Sequence, residues 1–341
     1  MSIAQIYKGL ALTLLLLIVI LLVAVLGLSK PPKKSSITGK NISIGISKES
    51  LAALSIIAAE NGYFKSGGLN TTIKYYDSGK IALDSIISDN LDVVTVSSTP
   101  IVFHSFHRQD FSIIASIGSS DNEQRIIARK DAGIIGPKDL RGKHIATTKT
   151  SSVHFFLHLF LAKHGLSEKD VNVTFMKPDE LPNALLNGDI DAFSMREPFI
   201  SKTAKLLGDN SVIFEEPKLY IKYFYVVVRN DFLQRDSEAV EIVLKALLKS
   251  EDFIRGNPHQ ALHIVSSKLA TNEMEISQIL QHSDLSVRLD QSMLIGLETQ
   301  ARWLIRDKLV NTDKVPNYIK YISSSSLRLV KPETVNITQY K

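Results

Sequence analysis

The sequence contains no cysteine in its 341 residues. This absence excludes disulfide bonds, thiolate metal sites, a cysteine nucleophile and a lipid-modified cysteine anchor. A strong excess of one charge is also missing, because 40 Lys and Arg residues face 35 Asp and Glu residues, a net charge of +5. Residues 1–34 hold four of the basic residues and no acidic one, so the rest of the chain is nearly neutral. The basic surplus therefore lies beside an apolar segment, and no nucleic-acid partner is predicted.

Motifs of the common enzyme classes are missing too. The chain has no G-x-S-x-G, no phosphate-binding P-loop and no dinucleotide-binding fingerprint. His154 and His158 are four residues apart, as are His259 and His263, a spacing that can place two imidazoles on one metal ion. Neither pair contains the Glu of an H-E-x-x-H site, and the sequence offers no evident third ligand. We therefore predict no metal, no cofactor and no enzymatic activity.

What is present is an ordinary globular composition. Apolar residues make up 44% of the chain and charged residues 22%, close to the globular average, which excludes a disordered, collagen-like or multi-span membrane protein. The length predicts about two domains.

Residues 9–29 are an uncharged segment rich in Leu, Val, Ile and Ala. As a helix rising ~1.5 Å per residue, this segment would span about 31 Å, the thickness of a hydrocarbon core. A cleaved signal peptide has a shorter apolar region followed by a small-x-small site, and residues 27–29 offer such a site. We predict that residues 1–34 are a signal-anchor helix and linker, with cleavage as the open alternative.

The lysines that flank this segment give an ambiguous orientation. Lys30, Lys33, Lys34 and Lys40 follow it, whereas Lys8 precedes it, and the positive-inside rule taken literally places the large domain in the cytoplasm. Large domains, however, translocate largely regardless of flanking charge. The flanking charges therefore leave the side of the membrane open.

The rest of the chain alternates between strand and helix patterns. Strands are predicted at 41–46, 69–75, 91–96, 111–117, 143–146, 171–176 and 190–194, with helices at 50–64, 80–88, 151–164 and 181–186, and helices alone after 231. This alternation predicts an α/β fold with mostly parallel sheets covered by helices.

A short internal recurrence predicts how the chain is divided. Residues 126–131 and 226–231 are each a β run closed by Arg-x-Asp. We interpret these runs as two crossover strands between two lobes, with a hinge and a cleft. Lobe 1 then comprises residues 41–128 and 230–330, and lobe 2 comprises residues 129–229. Two independent tandem domains are the alternative.

Polar residues that follow predicted strands are the candidate ligand-binding residues. In open α/β folds, ligands bind beyond the carboxyl ends of the strands, where helix N-termini favour anions. Hydroxyl groups at such positions can donate hydrogen bonds to an anion. The candidates are Ser50, Ser97, Ser98, Thr150, Ser151 and Ser152. Because Ser and Thr are common helix N-caps, capping is the alternative role.

Three segments, in the right order, resemble the substrate-binding proteins of ABC importers for nitrate, sulfonates and taurine. Residues 51–64 resemble the family's helix that ends in GYF. Residues 139–146, DLRGKHIA, resemble the DLKGKKVA start of its second lobe. Residues 188–199 resemble its G-x-(I/V)-D-A segment followed by W-E-P-F. The resemblance covers about residues 40–330.

This resemblance implies a two-lobed periplasmic-binding-protein type II fold with antiparallel crossover strands. It implies a domain outside the cytoplasm, in the periplasm or at the cell surface, and partners that are an ABC permease and its ATPase. The family's loop that matches residues 150–152 lines the cleft, which supports Thr150, Ser151 and Ser152 as ligand-binding residues.

The sequence departs from the family where an aromatic residue usually precedes the Glu-Pro pair. Met195 and Arg196 occupy that stretch. A guanidinium beside the cleft could hold a carboxylate, sulfonate or phosphate through two hydrogen bonds. The alternative is a surface Arg196 paired with Glu197. Glu197 could itself bind a cationic group, or only set the turn with Pro198.

We therefore predict a membrane-tethered, extracytoplasmic binding protein for a small polar, anionic solute of the sulfonate, taurine or nitrate type. If the signal is cleaved, the protein would be free in the periplasm. A membrane-anchored ligand sensor is one alternative. An enzyme related to pyrimidine-precursor synthases of the same fold is another, but the resemblance places a cysteine-rich motif in those enzymes, and this chain has none.

Overall fold

Two β-sheets with their covering helices form the part of the chain that the computed structural model describes, residues 39–88 and 90–338. The predicted apolar segment, residues 9–29, lies outside the described residues. Within the described ranges, no helix is both long and apolar enough to cross a membrane.

The strands are numbered in chain order. They are β1 (Lys40–Ser47), β2 (Leu69–Tyr76), β3 (Val93–Ser97), β4 (Phe111–Ser120), β5 (Gln124–Arg129), β6 (His144–Thr147), β7 (Asn172–Phe175), β8 (Ala192–Arg196), β9 (Ser211–Glu215), β10 (Lys222–Arg229) and β11 (Ser283–Asp284).

The α-helices are numbered in the same way. They are α1 (Ala53–Glu60), α2 (Tyr63–Ser66), α3 (Gly79–Ser88), α4 (Ser98–Ser105), α5 (Ser152–Lys163), α6 (Leu181–Asn187), α7 (Phe199–Leu207), α8 (Asn230–Arg235), α9 (Ser237–Gly256), α10 (Pro258–Leu269), α11 (Glu273–Gln281), α12 (Ser292–Arg306) and α13 (Ser325–Val330). Short 3₁₀ turns, among them Ser50–Ala52, connect some of these elements.

Lobe 1 is built on a six-stranded sheet in the order β11-β4-β10-β3-β1-β2. β2 and β3 run parallel to β1, whereas β10 runs antiparallel to β3 and β4. Every residue of β3 is buried, as expected for a central strand of a sheet that is covered on both faces. The long C-terminal helices α9 and α12 pack into the same core.

Lobe 2 is built on a five-stranded sheet in the order β7-β6-β8-β5-β9. β6 runs parallel to β7 and β8, and β5 runs antiparallel to β8 and β9. Ile126 and Ala128 of β5 join one apolar cluster, and Ile127 joins another. Because successive strand residues point to opposite faces, this lobe has one core on each side of its sheet.

The two sheets share one arrangement. The lobe 1 order β2-β1-β3-β10-β4 has the same relative directions as the lobe 2 order β7-β6-β8-β5-β9. Asp92, before β3, accepts a hydrogen bond from Ser43 N at 2.8 Å, and Asp191, before β8, accepts one from His144 N at 2.9 Å. By this alignment Ser97 of lobe 1 and Arg196 of lobe 2 are equivalent positions at the ends of β3 and β8.

The recurrent β runs lie at equivalent positions in this arrangement. Arg129 pairs with Asp131 through a 2.9 Å contact, and Arg229 pairs with Asp231 through a 2.6 Å contact. Each ion pair closes a central antiparallel strand, β5 in lobe 2 and β10 in lobe 1. The recurrence in the sequence therefore marks equivalent strands of the two lobes.

The chain crosses between the lobes earlier than the predicted boundaries. Residues 124–128 were assigned to lobe 1, but β5 pairs with β8 and β9 of lobe 2. Residues 222–229 were assigned to lobe 2, but β10 pairs with β3 and β4 of lobe 1. Each matched run is thus paired along its length within the sheet of a single lobe. The crossovers are the segments before these runs, residues 121–123 and 216–221.

Candidate functional site

The carboxyl ends of strands from both lobes surround one small cavity. Lobe 1 contributes residues after β1, β2 and β3, and lobe 2 contributes residues at or after β6, β7 and β8. The lining residues are Glu49, Ser78, Lys80, Ser97, Pro100, Thr148, Ser151, Ser152, Val153, Pro178, Met195 and Arg196. Only about 20 Å³ is open to the centre of a water molecule, room for about one water. The lobes are therefore closed over a polar cavity in the place where ligands bind in open α/β folds.

The predicted ligand-binding residues divide into two groups in the structure. Ser97, Ser151 and Ser152 line this cavity. Ser50, Ser98, Thr150 and Glu197, all within the described residues, are not part of its lining.

Two lobe 1 candidates are held by structural hydrogen bonds. Ser98 and Thr99, the first residues of α4, both donate to Gln300 Oε1 of α12, at 3.1 and 2.6 Å. Ser50 donates to Glu123 Oε1 at 2.9 Å. Ser98 therefore connects α4 to α12 by a hydrogen bond. Ser50 contacts the buried charge network described below.

The start of α5 provides the lobe 2 wall. Ser151 is its N-cap residue, but its side chain makes no capping hydrogen bond and instead donates to Thr148 O at 2.6 Å. The first N–H groups of a helix have no partner within the helix. Since Ser151, Ser152 and Val153 all line the cavity, this helix start presents the donors and the positive dipole end that favour an anion.

Thr150 shapes the turn before α5. Its φ of 52° lies in the left-handed region, which is uncommon for a residue other than glycine. Its N–H donates to His154 Nδ1 at 3.2 Å, and its hydroxyl donates to Lys149 O at 2.8 Å. Thr150 thus positions the loop rather than lining the cavity.

Arg196 is buried on the cavity wall, with only 3% of its surface exposed. One terminal nitrogen donates to Asp77 O of lobe 1 at 3.0 Å, and its Nε lies 3.1 Å from Glu49 Oε2. The Nε–H is not aligned for a hydrogen bond with any group in the described residues, so the Glu49 contact is an ion pair. The guanidinium also lies 5.9 Å from the centre of the Phe199 ring.

The predicted alternative for Arg196, a surface residue paired with Glu197, is wrong. Glu197 instead accepts a hydrogen bond from Ser201 N at 3.0 Å in the first turns of α7. This negative side chain near a helix N-terminus stabilises α7. Arg196 and Glu197 therefore have separate partners, Glu49 of lobe 1 and the first turns of α7.

A buried charge network joins the cavity to the crossovers. Lys222 is fully buried, lies 3.0 Å from Glu49 Oε2 and contacts Glu123 Oε2. Gly79 N, at the start of α3, donates to Glu49 Oε1 at 3.0 Å. With Arg196, the network holds two carboxylates and two cations in nearly complete burial, an arrangement that is stable only because each charge has a partner.

The network keeps the Glu49 carboxylate ionised. Burial alone would raise its pKa, but the charges of Arg196 and Lys222, with the Gly79 N–H, outweigh burial and hold the pKa well below its ordinary value. Glu49 therefore remains a fixed negative partner for Arg196 at neutral pH.

The second crossover touches the start of α5 through Tyr220. Its hydroxyl donates to Ser152 O at 3.2 Å. Burial, together with the charges of Glu123 and Glu49, raises the pKa of Tyr220 well above its ordinary value. The hydroxyl thus stays protonated and able to donate.

Glu123 and Lys222 were not among the predicted site residues. The signal for Lys222 is a lone charge at the head of the apolar run KYFYVVVR. Glu123 precedes β5 at the other crossover. One charged residue therefore lies at each crossover, Glu123 at the first and Lys222 at the end of the second. The sequence contained this signal for both residues.

The fold and this cleft define a two-lobed α/β binding protein. The model of the family described as NMT1/THI5 like matches residues 52–261, more than half of the chain, and the chain belongs to this family. The resemblance to substrate-binding proteins of ABC importers is therefore confirmed.

Individual relatives agree with this assignment. The chain is 27% identical over 277 residues to a protein of Bacillus subtilis named for binding aliphatic sulfonates, with 80% of this chain and 83% of the relative covered. It is 24% identical over 208 residues to the taurine-binding periplasmic protein of Escherichia coli, covering 60% of this chain and 63% of the relative.

A solved structure supports the fold. The alkanesulfonate-binding protein of Xanthomonas axonopodis pv. citri, bound to MOPS, superposes with a TM-score of 0.71 at 18% identity, covering 81% of this chain and 96% of that protein. The two-sheet fold of a periplasmic binding protein, predicted from the resemblance, is confirmed.

Proposed function

We propose that this chain is an extracytoplasmic binding protein that captures a small anionic solute carrying a sulfonate or similar oxyanion group, and that it is not an enzyme. The observation that carries this proposal is the position of Arg196. Arg196 lines the same cavity as the lobe 1 residues Ser78 and Ser97 and the start of α5. The names of relatives that bind aliphatic sulfonates and taurine support the same class of solute.

The proposed binding mode follows from the donors around the cavity. A tetrahedral or planar oxyanion would accept hydrogen bonds from Ser97 of lobe 1, from Ser152 and from the first N–H groups of α5. Ser151 would join them by turning its hydroxyl from Thr148 O to the solute. Arg196 would supply the charge. Because the cavity as it stands admits about one water, the lobes would separate slightly to hold the solute. Donors from both lobes would then stabilise this nearly closed arrangement by the difference between the solute's affinities for it and for the open form.

The charge network limits what the cavity accepts. The carboxylates of Glu49 and Glu123 already balance the charges of Arg196 and Lys222. The other cation of the described lining, Lys80, is paired with Asp84 at 2.7 Å. A solute with more than one negative charge would therefore face the fixed Glu49 carboxylate with little additional positive charge to offset it. We therefore expect a monoanion or a zwitterion to bind better than a dianion such as sulfate.

Calorimetric titration with methanesulfonate, taurine, nitrate, acetate and sulfate tests the solute class. We expect binding of the first three in preference to sulfate. Arg196→Gln and Ser151→Ala should each weaken binding at least tenfold, whereas Arg302→Gln, at an exposed arginine of α12, should not. Binding of none of the five would overturn the solute class, and unchanged affinity in both site variants would overturn the assigned residues.

We also propose that residues 9–29 tether the binding domain to the membrane, with the domain outside the cytoplasm. The partners would be an ABC permease and its ATPase, which receive the solute when the lobes open. The length and apolar character of residues 9–29 support the tether. Cell fractionation should find the full chain with the membrane and accessible to external protease. A cytoplasmic, protease-protected domain would contradict this orientation.

A further inference from the structure

A second polar cavity lies between the lobes and shares no lining residue with the first among the described residues. It is lined by His158, Glu168, Lys169, Arg306, Asp307 and Lys308. About 460 Å³ of it is open to the centre of a water molecule. His158 and Glu168 belong to lobe 2, whereas Arg306 and Asp307 lie at the end of α12 in lobe 1. The function proposed above does not use this cavity.

Three metal-ligating groups converge on one point in this cavity. His158 Nδ1 lies 3.0 Å from Asp307 Oδ2 and 3.7 Å from Glu168 Oε1. One ligand atom from each residue lies within 4.8 Å of the other two. Imidazole nitrogens and carboxylate oxygens are both ligands of zinc and related divalent ions in proteins.

In Glu168 and in Asp307, a neighbouring side chain holds one carboxylate oxygen by a hydrogen bond. The other oxygen of each carboxylate faces His158. Thr150 N donates to His154 Nδ1, so the buried His154 carries its proton on Nε2 and donates it to Glu168 Oε2 at 3.3 Å. Glu168 Oε1 is buried and has no hydrogen-bond partner within the described residues. In metal sites, carboxylates that coordinate the ion are typically hydrogen-bonded by neighbouring groups, which fix their orientation.

The lobe 1 carboxylate is held in the same manner. Arg306 Nε donates to Asp307 Oδ1 at 3.0 Å, which leaves Oδ2 facing His158 Nδ1. Arg306 also contacts His158 Nε2. Because Arg306 is exposed, its terminal nitrogen can turn toward solvent when Nδ1 binds an ion and Nε2 takes the proton.

We propose that His158, Glu168 and Asp307 bind a divalent transition-metal ion, represented by zinc, which links the two lobes. Water would complete the tetrahedral coordination. The exposed Lys169 and Lys308 and the displaced Arg306 oppose a further cation, so the ion binds less tightly than in a buried structural zinc site. Since the ligands come from both lobes, the bound ion stabilises the closed arrangement.

Titration of zinc chloride into the full chain, purified in a non-ionic detergent, tests the site. We expect one ion per chain, with binding weakened at least tenfold by His158→Ala and by Asp307→Asn. His263→Ala is the matched control, because His263 pairs with Glu273 at 2.8 Å on the surface. Circular dichroism checks that each variant is folded, and zinc should raise the Tm of the wild type but not of the two site variants.

Three results would overturn the proposal. These are the absence of zinc binding by the wild type, unchanged affinity in both folded site variants, or a loss of affinity in His263→Ala equal to that in the site variants. The isosteric Asp307→Asn keeps the packing at this position, so its effect separates lost ligation from lost structure.

Discussion

Arg196 of lobe 2 lies with its Nε 3.1 Å from Oε2 of Glu49 of lobe 1, and both side chains are almost fully buried. This ion pair crosses the cleft at the wall of the proposed binding cavity. Glu49 in turn holds Lys222 at the second crossover. Arg196, the proposed anion-binding residue, is therefore connected through one carboxylate to the second crossover between the lobes.

Glu49→Gln should destabilise the protein by about 3–5 kcal/mol, because it leaves Arg196 and Lys222 as buried cations with one fewer partner. Urea unfolding measures the change in the free energy of unfolding. Glu298→Gln, at an exposed glutamate of α12, is the control and should change stability by less than about 0.5 kcal/mol. Equal stability of Glu49→Gln and wild type would show that the ion pair contributes nothing.

Lys222→Met should also be strongly destabilising, because it leaves Glu49 and Glu123 as close buried carboxylates without their shared cation. Adding Glu123→Gln should recover part of the loss. A double-mutant cycle on the free energies of unfolding measures the coupling, which we expect to reach about 1–3 kcal/mol. Strictly additive effects would contradict a direct interaction between Lys222 and Glu123.

Much of the architecture could be predicted from hydrophobic periodicity. The long helices after residue 231 and the buried strands were predicted at nearly their observed positions. Two helix starts show why: Asp236 accepts a hydrogen bond from Ala239 N as an N-cap, and Pro258 begins the next helix. The short helices α4 and α7 were not predicted. Each begins near a proline that comes shortly after a strand, Pro100 or Pro198, and a proline in that place also predicts a turn.

The site was less predictable because its residues act across long distances in the sequence. The pattern of hydroxyl residues after strands selected Ser97, Ser151 and Ser152, which line the cavity. Their role in binding stays a prediction. The same pattern also selected Ser98, whose hydroxyl serves Gln300, 202 residues away. The pairing of Arg196 with Glu49 joins two lobes, and local spacing carries no information on such a contact.

The pH dependence of stability should reveal the Glu49 carboxylate. Its pKa is lowered in the folded protein from 4.5 to about 2, so its ionised form contributes stability above about pH 4.5 and this contribution is lost as the pH falls toward 2. The difference in the free energy of unfolding between wild type and Glu49→Gln should therefore shrink between pH 5 and about pH 2. A constant difference across urea titrations in this range would contradict the lowered pKa.

Gly79→Ala should weaken both folding and solute binding. A Cβ at Gly79 would lie 2.7 Å from Val96 Cα, a backbone atom that cannot move aside without shifting β3. Because Gly79 N also holds Glu49 Oε1, the shift would disturb the partner of Arg196. We expect a loss of about 1–3 kcal/mol in the free energy of unfolding and weaker binding by calorimetry. Gly296→Ala, inside α12 with open space around its Cβ position, is the matched control and should be stabilising by up to about 1 kcal/mol. If both variants behave alike, the close approach of Gly79 to β3 does not constrain the cleft.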